Sequence, residues 1–226
     1  MRDPFPGNII PDSRISTVAK KQLALYPAPN VPGVIANNFI GHAPNNTDSD
    51  QFDVRVDHQQ SIHDSFFGRA SVSLNNIENP GLLWTPANPS GGGNNRTPAG
   101  ATPGYGAAAG YTHTFSPRLI NEFRAGFARL RWFLNVYYPS LYGGALLGIP
   151  SVPATSPGYP VFNVTGWTGW GDTGPATRGK NNFDFLDNLS YTVGRHSLKM
   201  GGDIRFVQFN LNHGGGARGS FPFNGV

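Results

Sequence analysis

Tight turns and very long loops alternate strictly along this chain, and few folds tolerate that. Gln51–Gln60 turns at Ser61–Asp64 into Ser65–Leu74. Ala107–Phe115 turns at Ser116–Leu119 into Ile120–Leu130. Asn181–Val193 turns at Gly194–Arg195 into His196–Phe209. Between these pairs lie Asn75–Gly106 and Arg131–Lys180. Loops beyond about 15 residues are uncommon in compact soluble domains. The spacing predicts three antiparallel hairpins, with the tight turns at one end and both long loops at the other.

Within the hairpins the side chains alternate with a period of two, as in strands with one apolar face. Phe52, Val54 and Val56 alternate with Asp53, Arg55 and Asp57. Phe66, Gly68, Ala70, Val72 and Leu74 alternate with Phe67, Arg69, Ser71 and Ser73. Phe123, Ala125 and Phe127 oppose Glu122 and Arg124. Phe183, Phe185, Leu189, Tyr191 and Val193 oppose Asp184, Asn188 and Ser190. Leu198, Met200, Ile204 and Phe206 oppose Lys199, Asp203 and Arg205. The strand around Tyr111 and Phe115 has the weakest pattern. Alternation also suits a soluble sandwich with one buried face. Here, however, the polar faces carry charges of both signs, which neighbouring strands could pair across a polar interior. Charged residues are 13% of the chain, about half the usual share. Aromatic residues are 12%, too many for a disordered chain. This combination suits strands that face lipid between aromatic girdles. The expected fold is all-β: antiparallel up-and-down strands forming an open segment of a transmembrane β-barrel, with long loops. Short turns inside and long loops outside characterise such barrels. No window holds the 18 apolar residues of a spanning helix, and strands need none.

Residues 1–49 read as a loop segment with one short helix, and 50–226 as a partial barrel. The helix is expected over Ser13–Tyr26, capped by Asp12 or Ser13, with Ile15, Val18, Ala19 and Leu23 on one face and Pro27 ending it. A further strand could begin at Gly219–Gly225. The N-terminus, MRDPFPGNIIP, has no apolar central region and does not read as a signal peptide.

Little here points to covalent chemistry. Cysteine is absent, which removes disulfides and thiolate chemistry. The net charge of +4 is scattered, and no basic run suggests a nucleic-acid partner. His42, His58, His63, His113, His196 and His213 lack metal-ligand spacing and read as turn or strand-end residues. Asp48–Asp57 is carboxylate-rich but lacks the calcium-loop spacing, so it reads as strand carboxylates facing a polar lumen. The glycine clusters Gly91–Gly93 and Gly214–Gly216 are not followed by a phosphate-loop Lys-Ser/Thr. No catalytic, cofactor-binding or metal-ligating residue is nominated. The candidate ligand or interface residues are loop aromatics: Trp84, Tyr137, Tyr138, Trp167 and Trp170. They read first as loop-packing or interface anchors, and second as ligand contacts. The alternative to a barrel segment is a secreted all-β module binding carbohydrate or peptide through Trp84, Trp167 and Trp170.

Four stretches carry a resemblance. PFPGNIIPDSRISTVAKKQLALYPAPN, DQFDVRVDHQQSIHDSFFGRASVS, THTFSPRLINEFRAGFARL and DNLSYTVGRHSLKMGGDIRF are similar, in this order, to barrel segments of TonB-dependent outer-membrane receptors of the Oar-like group. The resemblance implies a location in the outer membrane of a Gram-negative bacterium and a non-enzymatic role in ligand uptake. It implies as partners outer-membrane lipid, the remainder of the barrel, a plug, the TonB system acting through that plug, and an unknown ligand. Such receptors have about 22 strands, so this chain is expected to be an internal fragment of one.

Overall fold

The structure is a computed structural model, and it describes residues 5–43, 45–81, 83, 99–136, 142–172, 175–214 and 216–224. Along the chain run two 3₁₀ turns, Pro6–Asn8 and Asp12–Arg14, and helix α1, Thr17–Leu23. Strands β1 (Asn46–Gln59), β2 (Asp64–Glu78), β3 (Ala99–Ala101), β4 (Gly104–Ser116) and β5 (Leu119–Asn135) follow. Next come helix α2 (Gly143–Leu147), β6 (Val161–Val164), β7 (Ala176–Val193), β8 (His196–His213) and β9 (Ser220–Phe223).

One seven-stranded sheet contains all the long strands, every neighbouring pair antiparallel. The long strands pair in sequence order, β1-β2-β4-β5-β7-β8. Strand β3 continues the line of β4, since both pair with β2 and β5. The break falls at Thr102-Pro103, because proline has no N–H to donate to the ladder. The Thr102 N–H still reaches the Asn75 carbonyl at 2.8 Å, and the Pro103 carbonyl accepts from Arg131 N–H at 2.9 Å. Strands β1 and β8 form the sheet's two edges and do not pair with each other, so the sheet is not closed.

Register places all three tight turns at one end, as expected: Asp64 pairs with His113 and Leu119 with Tyr191. Each turn has its own chemistry. Ser61 Oγ accepts from the N–H groups of His63 and Asp64 at 3.0 Å. Pro117 presets its backbone angle for the second turn, and the register shift between Thr114 and Ser116 is a bulge that reconciles that turn with the strand twist. Gly194 adopts φ +58, as the first loop position of a type II′ hairpin requires.

The strands run further toward the long-loop end than alternation predicted: β7 and β8 have 18 residues each. The added segments, such as Arg131-Trp132 with its partners Arg178-Gly179, have no apolar–polar alternation. Backbone pairing holds them together, so side-chain pattern could not reveal them. The weakly patterned strand is β4, which spans Gly104–Ser116. Its small residues serve close packing: a side chain at Gly110 would collide with the Phe67 ring, which lies across the neighbouring strand at that position.

Two N-terminal and C-terminal expectations change. The helix is shorter than predicted and is capped by Ser16, whose Oγ accepts from Ala19 N–H at 3.1 Å. Its buried side is marked by Gln22, while Leu23 is exposed. The segment at Ser220–Phe223 does not extend the large sheet. It pairs in parallel with β6, because the turn at Gly216–Gly219 folds it back across the second long loop.

Candidate functional site

Two regions carry the functional geometry: the faces of the sheet, and a folded cap at its long-loop end.

Directly paired residues share a face, so the registers can be read as rows. One row across the sheet is Val54, Ala70, Ala107, Phe127, Phe183 and Phe206. The row beside it is Val56, Gly68, Ala109, Ala125, Phe185 and Ile204. Both are wholly apolar. Phe52, Phe123 and Leu198 fall on the same face, as the alternation predicted. No protein layer covers it among the described residues: Phe52 is 68% exposed and Phe206 is 58% exposed. On β8 this outward stretch is Leu198–Phe206 and on β7 it is Phe183–Tyr191, matching the about 9–11 residues a strand needs to cross a bilayer; the one charge in it is Asp187, which accepts from Asn121 Nδ2 on the same face at 2.8 Å. Aromatic side chains mark its margins. Near the turns Phe66 stacks on Tyr111 at 4.6 Å and His113 meets Phe115 at 4.3 Å. Toward the loops stand Tyr105 and Phe133.

The opposite face is ionic. Asp53, Arg55, Arg69, Glu122, Arg124, Lys199, Asp203 and Arg205 lie on it by register. Arg69 pairs with Asp53 at 2.7 Å across β1 and β2, and Arg205 pairs with Asp184 across β7 and β8. Within strands, Arg55 pairs with Asp57 at 2.6 Å and Arg124 with Glu122. The expected lumen-facing reading of Asp48–Asp57 holds for Asp53 and Asp57. Asp48 and Asp50 instead alternate onto the other face, beyond the apolar band.

At a rise of about 3.3 Å per residue an 18-residue strand is about 60 Å long, and even tilted by about 45° it exceeds a hydrocarbon core of about 30 Å. The long-loop ends of the strands therefore stand clear of the membrane. There the second long loop, α1 and the C-terminal segment fold into a cap. Its core is Leu83, Leu147, Tyr159, Phe162 and Trp170, with Val18, Tyr26 and Phe221 packed against it. Tyr26 holds the N-terminal segment in place. Its ring lies 5.5 Å from Trp167 and 5.2 Å from Trp170, and its hydroxyl donates to the Thr168 carbonyl at 2.8 Å. Lys21 Nζ donates to the Leu146 carbonyl at 2.9 Å.

Arg218 staples the cap. Its buried guanidinium donates to the carbonyls of Tyr159 at 3.1 Å, Pro157 at 2.8 Å and Asp172 at 2.6 Å. The planar fork of arginine lets one side chain hold two chain segments at once. Asp172 is buried beside it and accepts from Tyr159 N–H at 2.7 Å. Burial pushes the Asp172 carboxyl above the usual carboxylate range, against the opposing pull of that N–H and of Arg218. Burial likewise lowers the Arg218 guanidinium.

A raised folded-state value means that the cap binds the Asp172 proton more tightly than the unfolded chain does. This contribution is fully present below the ordinary value of 3.8 and is lost as pH rises through the raised value. Asp172→Asn keeps an oxygen for Tyr159 N–H and removes the titration. The melting temperature of the wild-type cap, followed by Trp fluorescence, should fall relative to Asp172→Asn as pH rises above the ordinary value of 3.8. Parallel curves would show that Asp172 does not titrate in this way.

The nominated aromatics separate. Trp84, Tyr137 and Tyr138 lie outside the described residues. Trp170 is 1% exposed and central to the cap core, whereas Trp167 is 55% exposed. Trp167 lines an apolar groove of about 370 Å³ with Val18, Leu23, Tyr26, Phe162 and Phe223. Gln22 also lines it, is 8% exposed, and neither its Nε2 nor its Oε1 has a hydrogen-bond partner. Sequence reasoning missed Tyr26, Gln22, Asp172 and Arg218. Val18, Gln22 and Leu25 share helical spacing, but a polar residue in the middle of a short stripe gave no warning of burial. Arg218 sits in a glycine-rich segment with no periodicity at all.

No curated protein and no solved structure matches the chain. One family model does, that of the outer membrane beta barrel domain, over residues 1–226. A lipid-width apolar face, a charged opposite face and loops gathered at one end are what that family requires, and the chain belongs to the outer membrane beta barrel domain family of the Gram-negative outer membrane.

Proposed function

We propose that this chain is part of the wall and external surface of a TonB-dependent receptor of the Oar-like group, and that the receptor takes up a ligand met first by the cap. The carrying observation is the groove beside Trp167, where a buried Gln22 amide offers one donor group and one acceptor with nothing to satisfy them. Buried polar groups left unpaired cost about 1–3 kcal/mol, and an incoming ligand that pairs both would recover that energy. The groove has the size of a small-molecule site, about 300–1,000 Å³. Its lining suits an apolar body joined to an amide, such as a hydrophobic oligopeptide.

On this reading the partners are outer-membrane lipid, the rest of the barrel, a plug, and the TonB system through that plug. Nucleic acid has no part, and no residue performs catalysis. Cells producing the full receptor, given a mixture of hydrophobic oligopeptides, should accumulate some of them in a TonB-dependent manner, and Gln22→Leu should reduce that uptake by about tenfold, the loss of roughly 1.4 kcal/mol of binding. Equal accumulation without TonB would refute energised uptake. Uptake unchanged by Gln22→Leu would take the groove off the route.

A further inference from the structure

The apolar face carries a small cationic strip at its outer margin. Arg129 and Arg131 follow Phe127 at the next two outward positions of β5. They are the sole arginine or lysine residues on this face of the six long strands. Each two-residue step along a strand tilted by about 45° rises about 5 Å. Arg129 therefore stands about 5 Å and Arg131 about 9 Å beyond the row containing Phe127. The headgroup layer adds about 5–7 Å to each side of the hydrocarbon core, so both guanidinium groups lie at headgroup depth. They lie on the long-loop side, which is external in such barrels.

The surroundings suit an anion. Across the strands Arg129 is flanked by Tyr105 and Asn181, and Arg131 by Gly179. Gly179 has no side chain and nothing would crowd one, which leaves open surface beside Arg131. The two arginines line a depression of about 240 Å³ together with Asn181, Asn210 and Asn212. Arg131 lies 4.6 Å over the Phe133 ring, which orients it. Neither arginine forms an ion pair among the described residues. At this height the carboxylates on the same face include Asp50 on β1, three strand spacings of about 4.8 Å away.

We propose that Arg129 and Arg131 form a site for the phosphate of an anionic lipid headgroup in the outer leaflet. Guanidinium forks bind phosphate oxygens in pairs, and the neighbouring asparagine amides supply neutral donors. The lipid chains then lie along the apolar rows beginning at Phe127 and Phe183. The site faces the membrane, so it does not depend on whether the protein takes up a ligand.

The test is native mass spectrometry of the full-length protein released from detergent, with a phosphorylated lipid and its dephosphorylated counterpart. The wild type should retain the phosphorylated lipid at least tenfold better than the dephosphorylated one. Arg129→Gln with Arg131→Gln should abolish that preference, while Arg129→Lys with Arg131→Lys should keep part of it. Equal retention of both lipids by the wild type would overturn the site even if the glutamine variant fails to insert. Full displacement of the lipid by millimolar inorganic phosphate would also overturn it, because the site would then be one for free phosphate.

Discussion

Ala109→Arg should cost the assembled protein about 2 kcal/mol, within the range for arginine toward the bilayer midplane, while Ala108→Arg, one residue along, should cost far less. Ala109 sits inside the apolar row from Val56 to Ile204, between Gly68 and Ala125 and one row further from the outer margin than Phe127. An arginine there must reach past the Phe127 row, to the depth of Arg129, to find water or phosphate. Ala108 faces the other way. Its row holds Arg55, Arg69, Gly126 and Asp184. A new guanidinium on that side finds space over Gly126 and the Asp184 carboxylate beyond it. Side chains in a strand alternate faces, so adjacent positions on one strand isolate the environment from the strand itself. Denaturant unfolding of the full-length protein in lipid, read for both variants, decides the matter. Similar losses would mean that the rows do not divide lipid from interior.

The legible part of this fold was the part that alternation encodes. Phe52, Val54 and Val56 against Asp53, Arg55 and Asp57 told both the strand and its two environments, because water and lipid select opposite side chains at successive positions. The turns were equally plain, since Pro117 and Gly194 are constrained at the level of the single residue. The strand extensions were not legible. Around Trp132 and Arg178, whose guanidinium lies 4.5 Å over the indole, both faces meet water and no alternation is selected. The cap was hidden for a different reason. Its core joins Val18, Leu147, Phe162 and Phe221 from segments far apart in sequence, and its charged members, Asp172 and Arg218, make their hydrogen bonds to backbone carbonyls and N–H groups rather than to each other's side chains. Such contacts leave no spacing to read. The family match spans residues 1–226, the cap segments included, and on the proposed reading the cap is where ligand discrimination lies.

The 226-residue polypeptide expressed by itself should not be a soluble monomer. Its long strands number six, fewer than the eight of the smallest bacterial barrels, and the edges β1 and β8 are exposed along their whole length. Unpaired edges present N–H and C=O groups that template association with other chains. In hydrocarbon the same groups go unsatisfied, at several kcal/mol each, so the open sheet cannot simply enter a bilayer. In water the apolar face, with Phe52, Val56, Ile204 and Phe206 all uncovered, far exceeds the isolated patches that monomers carry. The cap does not relieve this, because its core lies among the loops and covers neither edge nor face. Expression without an export signal should therefore give inclusion bodies, and refolding should succeed only with detergent or with the complementary strands. Sedimentation and circular dichroism are sufficient tests. A monomer in plain buffer with a cooperative β-type melting transition would show that the apolar rows are buried against protein, and the membrane-facing assignment of Phe127 and its row would fall with it.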